Sequence, residues 1–172
     1  MWHAGTFSSR IEIMPLQIVI ISGGQSGADR AALDWAITHS IPHGGWCPQG
    51  RATPDGPLDD KYQLRETPSD LHAERTEWNV RDSDATVVFT LTAQPVGAAR
   101  KTITCARKLK KPCLHLHRGI LAVSEKLLTF IEKHQARRIN ITGSCESEEP
   151  GLAPWVAQSL DKLKSMADRM DE

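Results

Sequence analysis

Between Gln17 and Arg30 the sequence runs QIVIISGGQSGADR. The run that ends at Ile21 is apolar and rich in β-branched residues, which is typical of a strand buried on both faces of a sheet. A Ser-Gly-Gly turn follows the run, and from Ala28 onward apolar residues recur at helical spacing until Pro42. The stretch therefore predicts a buried strand, a tight turn and a helix.

The rest of the chain repeats this alternation. Further strands are predicted at residues 85–91, 113–117 and 138–142, helices around residues 100–110, at 125–134 and from about 153 onward, and a long loop at residues 43–62. Strands that alternate with helices indicate an α/β fold, a parallel sheet with helices on both faces. We expect one such domain over residues 15–172, preceded by a poorly ordered N-terminal arm at residues 1–14.

Length and composition exclude several classes of protein. The chain has 172 residues, with 21 Lys+Arg and 21 Asp+Glu, so its formal net charge at pH 7 is zero. It lacks the apolar run of about 20 residues that crosses a membrane, and it lacks the basic footprint of a nucleic-acid-binding protein. The cysteines form no C-x-x-C pair, and no secretory signal is visible, so we expect a cytoplasmic protein with reduced thiols and neither membrane nor nucleic-acid partners.

The first strand is followed by a glycine-rich turn that opens a helix. Parallel sheets bind ligands at the carboxyl ends of their strands, and backbone N–H groups at a helix N-terminus favour a phosphate. The pattern matches neither G-x-G-x-x-G nor G-x-x-x-x-G-K-[ST], and the alternative is a turn that only changes the direction of the chain. The candidate ligand-binding residues here are Gly23, Gly24, Gln25, Ser26, Gly27, Asp29 and Arg30.

Two later segments add candidate binding residues. Trp46 could stack on a ring and Arg51 could pair with a phosphate or a carboxylate, although Trp46 could equally attach its loop to the domain. Arg75 and Asn79 share one face of a further helix predicted at residues 69–80, and Asp84 could orient them. The alternative for this second segment is a solvated, charged helix end.

Five ordered blocks of sequence carry a resemblance to a known family. They are residues 20–34, 44–51, 55–56, 75–80 and 83–86. In these blocks the chain resembles the molybdenum carrier proteins, and the likeness extends from about residue 18 to the last helix. The resemblance implies a Rossmann-like α/β domain, usually a homo-oligomer such as a dimer or tetramer. It also implies binding of the molybdenum cofactor (molybdopterin), whose pterin suits Trp46 and whose terminal phosphate suits the glycine-rich turn.

The same superfamily includes the Lonely Guy phosphoribohydrolases, which makes a nucleotide-binding or nucleotide-cleaving enzyme the alternative. Those enzymes have a Pro-Gly-Gly-x-Gly-Thr-x-x-Glu motif where residues 95–103 of this chain read PVGAARKTI, without the paired glycines or the catalytic Glu. The carrier family has Gly-Gly-Thr-x-x-Thr at this place, of which Gly97 and Thr102 remain. The resemblance therefore favours a carrier that protects the cofactor and delivers it to a molybdoenzyme.

A late loop completes the predicted site. Residues 143–151 read GSCESEEPG, and Ser147 and Gly151 match the family while the arginine that members often carry there is missing. We predict no catalytic residue, because no hydrolytic arrangement of side chains is visible. We also predict no metal site, because His115 and His117 alternate on a predicted strand without an obvious third ligand.

Overall fold

The computed structural model describes residues 16–170, so the predicted arm at residues 1–14 lies outside the described residues. The helices are α1 (Ala28–Thr38), α2 (His72–Arg81), α3 (Gly97–Lys108), α4 (Val123–His134) and α5 (Leu152–Met170). The strands are β1 (Val19–Ile21), β2 (His43–Gly44), β3 (Trp46–Cys47), β4 (Ala52–Thr53), β5 (Gly56–Pro57), β6 (Arg65–Glu66), β7 (Ala85–Thr90), β8 (Cys113–His117) and β9 (Arg138–Gly143).

Five parallel strands form the central sheet in the order β2-β1-β9-β7-β8. The last strand of the sequence, β9, is inserted between β1 and β7, and its Ile139 is in register with Ile20 of β1 and Ala85 of β7. The chain leaves β1 toward one edge of the sheet and leaves β7 toward the other edge. The loops after β1 and β7 therefore flank the end of β9, at the switch point where open α/β sheets bind ligands.

The two faces of the sheet differ in polarity. On one face α1, α4 and α5 bury an apolar cluster that includes Ile20, Val87 and Phe89. The other face, against α2 and α3, carries polar strand residues, and Asn140 donates a hydrogen bond to Thr86 Oγ1 over 3.2 Å. The predicted Rossmann-like α/β fold, with helices on both faces, is confirmed.

Residues 43–62 are more ordered than the predicted loop. His43–Gly44 forms an edge strand of the central sheet, β3 pairs with β6, and β4 with β5 form a short hairpin. A second, smaller cluster holds this region together; its members are Leu33, Cys47, Leu58, Tyr62 and Leu64. Two-residue strands in Gly- and Pro-rich sequence carry too little periodicity for prediction, which explains the difference.

No helix within residues 16–170 combines the length and the apolar character needed to cross a membrane. All four cysteines are free thiols. Burial raises the pKa of the Cys113 thiol to about 11, so this thiol is protonated at neutral pH.

Candidate ligand-binding site

Three loops meet at the carboxyl edge of the sheet, residues 22–27 after β1, 91–96 after β7 and 144–151 after β9. The loop after β9 touches both of the others. A Cβ atom on Gly27 would lie 2.9 Å from the backbone nitrogen of Glu146, and the N–H of Glu146 donates to Ser26 Oγ over 3.3 Å. The structure thus brings together the predicted residues of the glycine-rich turn with Gly97, Ser147 and Gly151.

The turn after β1 leaves backbone donors free. Gly27 adopts a left-handed φ of 83°, and α1 begins behind it without a side-chain cap. Among the described residues, no hydrogen bond uses the backbone N–H of Gln25, Ser26 or Gly27. Arg30 closes the turn by donating from Nη2 to the carbonyl of Gly24 over 3.1 Å. These free N–H groups and the positive end of the α1 dipole suit an anion.

A buried ion pair supports this turn. Arg75 of α2 donates from Nη1 to Asp29 Oδ2 over 2.9 Å, and the two side chains are 8% and 3% exposed. Thr142 at the end of β9 donates to the second oxygen of Asp29 over 2.7 Å. The guanidinium lies on Gly23, where a Cβ would sit 2.9 Å from Arg75 Cζ. Arg75 Nε is buried and has no hydrogen-bond partner among the described residues.

An unpaired N–H of a buried guanidinium is rare, because most buried polar groups in proteins find a partner. Gly23 is needed at its position because any side chain there would displace Arg75. Sequence analysis placed Gly23, Asp29 and Arg75 in one site, and the structure brings all three into contact.

The loop after β7 contrasts with this open turn. Glu149 accepts hydrogen bonds from Leu91 N over 2.8 Å and from Thr92 N over 3.2 Å. Burial raises the pKa of the Glu149 carboxyl, but the hydrogen bonds from Leu91 and Thr92 help to outweigh burial, and the net effect is a lowered pKa. The chain's own carboxylate thus occupies the first two backbone donors of this loop.

A second carboxylate lies at the start of α3. Gly97 has a left-handed φ of 51°, and Glu148 packs against it so closely that a Cβ there would lie 3.0 Å from Glu148 Cδ. Thr102 is buried in α3, and its hydroxyl donates to the carbonyl of Ala98 over 3.0 Å. Glu148 and Glu149 were not predicted as site residues. The available signal was three acidic residues within the loop that follows a predicted strand.

Ser147 and Gly151, the two predicted residues of the late loop, are exposed. Ser147 Oγ lies 3.2 Å from Cys145 Sγ. Gly151 has a left-handed φ of 89°, and its N–H donates to Glu146 Oε1 over 3.2 Å.

Trp46 and Asn79 contact each other, and Asn79 lies near Ser22 at the start of the loop after β1, because a Cβ on Gly45 would meet both the Ser22 carbonyl and Asn79 Oδ1. The Asn79 amide accepts from Trp46 N over 2.8 Å and donates to Trp46 O over 2.9 Å. The indole N–H donates to Asp82 over 2.8 Å, and the ring packs edge-to-face on Trp78. Trp46 borders a cavity of about 200 Å³ that Val19 and Arg138, the first residues of β1 and β9, also line. The structure therefore does not bring the Trp46 ring to the glycine-rich turn.

Asp84 and Arg51 also lie apart from the turn. Asp84 Oδ2 accepts the N–H of Arg137 over 2.9 Å and that of Arg138 over 2.8 Å, just where β9 begins. The hydrogen bond from the Arg138 N–H is the largest cause of the lowered pKa of Asp84, and the hydrogen bond from the Arg137 N–H also lowers this pKa. The Arg51 guanidinium donates to four backbone carbonyls, those of Leu58, Asp59, Tyr62 and Leu64. Both side chains hold the local backbone in place.

His72, which sequence analysis did not select, lies beside the turn. Its Nδ1 is 3.1 Å from Gln25 Nε2. Burial and the nearby charge of Arg75 lower the pKa of His72, so the ring is neutral at pH 7 and accepts the hydrogen bond from Gln25.

The fold and the edge site define an α/β domain of the Rossmann-like class with an open glycine-rich turn at the carboxyl edge of its sheet. Residues 20–164 match the model of the circularly permutated YpsA SLOG family, and the chain belongs to this family. It is similar to the crystal structure of a "Putative molybdenum carrier protein" from Syntrophus aciditrophicus SB, with 37% identity and a TM-score of 0.80. That match covers 87% of this chain and 96% of the other. None of the curated proteins matches the chain. The resemblance that the sequence blocks indicate is confirmed.

Proposed function

We propose that the turn after β1 binds the phosphate of a small molecule. The observation that carries the proposal is the set of free backbone N–H groups of Gln25, Ser26 and Gly27 at the N-terminus of α1, with the Arg75 guanidinium lying on the neighbouring Gly23. A phosphate oxygen accepts several hydrogen bonds at once, so it can satisfy donors that the chain itself leaves unsatisfied. The ion pair with Asp29 fixes the guanidinium before the ligand arrives, which lowers the entropy cost of binding.

The charge around the turn suits one anionic group. Arg30 and Arg75 border the turn, while Asp29 neutralises one of these two cations. Asp55 lies 3.7 Å from Arg30 and is mostly exposed, so water screens this contact. Together with the α1 dipole, the remaining positive charge matches a single phosphate monoester.

We infer that the ligand is the molybdenum cofactor and that the protein is its carrier. The family membership and the name of the similar protein from Syntrophus aciditrophicus support this choice. Gln25 and His72 are the polar side chains beside the turn that would contact the rest of the molecule. Protection of the cofactor, its delivery to a molybdoenzyme, a cytoplasmic location and a homo-oligomer belong to the same proposal.

The experiment is mass spectrometry of the small molecules that leave the denatured protein after gentle purification from a host that makes the cofactor. We expect a pterin phosphate together with molybdenum. Ser26→Asp, which adds a carboxylate to the turn, should abolish this signal. Ser165→Asp, which adds the same charge on the exposed side of α5, should retain it.

Two results would contradict the proposal. A nucleotide in place of the pterin would favour the nucleotide chemistry of the superfamily. Equal ligand content in Ser26→Asp and Ser165→Asp would place the ligand away from the turn.

A further inference from the structure

Residues 146–149 form an acidic loop that lies between the two other loops of the carboxyl edge. Its first residue, Glu146, contacts the open turn through the hydrogen bond to Ser26. Its last residue, Glu149, binds Leu91 and Thr92 in the loop after β7. Because β9 lies between β1 and β7, any ligand that extends from the turn toward β7 passes this loop.

Carboxylates of this loop lie at the two places where a second phosphate could bind, bonded to the backbone at the first and packed against it at the second. The backbone N–H groups of Leu91 and Thr92 are bonded to Glu149, and the Thr92 hydroxyl also donates to it over 3.1 Å. The N-terminus of α3 has no side-chain cap, and Glu148 packs against its first residue, Gly97. Adjacent strands are about 4.8 Å apart, so β7 is only about 10 Å from β1 and its loop is within reach of a phosphate chain.

We infer that the acidic loop restricts the site to ligands with a single phosphate group, and that Glu148 is a specificity-determining residue. This inference rests on the proposed binding of phosphate by the turn. A first phosphate meets Arg75, Arg30 and the α1 dipole. A second or third phosphate that extends toward β7 meets the like charges of the acidic loop, among which Glu149 is 9% exposed and its carboxylate is therefore weakly screened by water. Di- and triphosphates are therefore rejected although their total charge is larger.

The test compares inorganic phosphate, pyrophosphate and tripolyphosphate by titration of the full chain. At an ordinary cationic site affinity increases with the charge of the anion. Here we expect the dissociation constant to increase at least tenfold from phosphate to tripolyphosphate. Glu148→Gln should improve tripolyphosphate binding at least tenfold and change phosphate binding less than threefold. The matched control Glu132→Gln, an exposed position on α4, should change neither value.

The outcomes separate the two proposals. If the wild-type protein binds tripolyphosphate more tightly than phosphate, the charge restriction is wrong while the phosphate site stands. If Glu148→Gln improves the binding of phosphate and of tripolyphosphate equally, or improves neither, Glu148 does not determine specificity. If the wild-type protein binds none of the three anions, the proposed function fails, and the restriction fails with it. Thermal unfolding of each variant confirms that the fold is intact.

Discussion

The loops after β1 and β7 lie at the same edge of one sheet, yet they differ in whether their backbone N–H groups have hydrogen-bond partners. After β1 the N–H groups of Gln25, Ser26 and Gly27 donate to no other described residue. After β7 the N–H groups of Leu91 and Thr92 are bonded to Glu149. Both loops precede a helix without a side-chain cap, so helix polarity alone does not distinguish them.

The difference lies in the residues that neighbouring elements supply. A buried arginine from α2 lies on the first loop, and acidic residues from the loop after β9 lie on the second. The comparison indicates that residues supplied by neighbouring elements decide whether the backbone donors of a loop at this edge are free or already bonded.

The largest loss of stability is expected when the buried ion pair between Arg75 and Asp29, beneath the open turn, is broken. Arg75→Met leaves the Asp29 carboxylate buried without its cation, and such a change costs about 3–5 kcal/mol of unfolding free energy. Urea unfolding measures this loss. Arg169→Met, an exposed position on α5, is the control and should stay within about 0.5 kcal/mol of the wild type. Equal stability of the two variants would mean that the pair does not support the turn.

The next effect concerns the close contact between the turn and the loop after β9. Gly27 and Gly50 have similar φ angles of 83° and 81° but ψ angles of −130° and 0°, and a Cβ on Gly27 meets the backbone of Cys145 at 2.9 Å while one on Gly50 meets nothing within 4 Å. Gly50→Ala should therefore cost about 1 kcal/mol from the left-handed backbone. Gly27→Ala adds overpacking and should cost about 3 kcal/mol. Equal costs in chemical denaturation would show that the two loops do not press on each other.

The smallest loss of stability is expected on replacement of Glu149, whose carboxylate accepts hydrogen bonds from the loop after β7. Glu149 has a lowered pKa in the folded protein, so its stabilising contribution is full above the pKa of an unfolded Glu, about 4.3. The contribution declines as the pH falls through the lower folded pKa. We expect Glu149→Gln to lose about 1 kcal/mol at neutral pH, and its stability difference from the wild type to shrink in acid.

Unfolding free energies of the wild type and of Glu149→Gln, measured from pH 7 down to about pH 3, test whether this stability difference shrinks in acid. The control is Glu132→Gln, which should track the wild-type curve at every pH. A stability difference for Glu149→Gln that grows in acid would contradict the assigned hydrogen bonds.

The sequence predicted the framework because strong periodic signals coincide there with tertiary packing. The apolar run before Ser22 and the strand from Ala85 both lie in the central sheet. The position of β9 between β1 and β7 was not predictable, since strand order depends on long-range pairing that local patterns do not record.

The site was predictable only in part. Gly23, Asp29 and Arg75 were selected together, and they are in contact. For Trp46, the aromatic and glycine pattern carried no information on where the ring points, and Asp82 and Trp78 orient it away from the turn. Glu149 was missed because an acidic residue in a loop is usually solvated, and only the fold shows which N–H groups it meets.

The most direct test of the account is a titration of ¹⁵N-labelled protein with inorganic phosphate, followed by amide chemical shifts. We expect the N–H resonances of Gln25, Ser26 and Gly27 to shift in a saturable way. Those of Leu91 and Thr92, which Glu149 already binds, should stay in place. Saturable shifts at Leu91 and Thr92 with none in the turn after β1 would contradict the account.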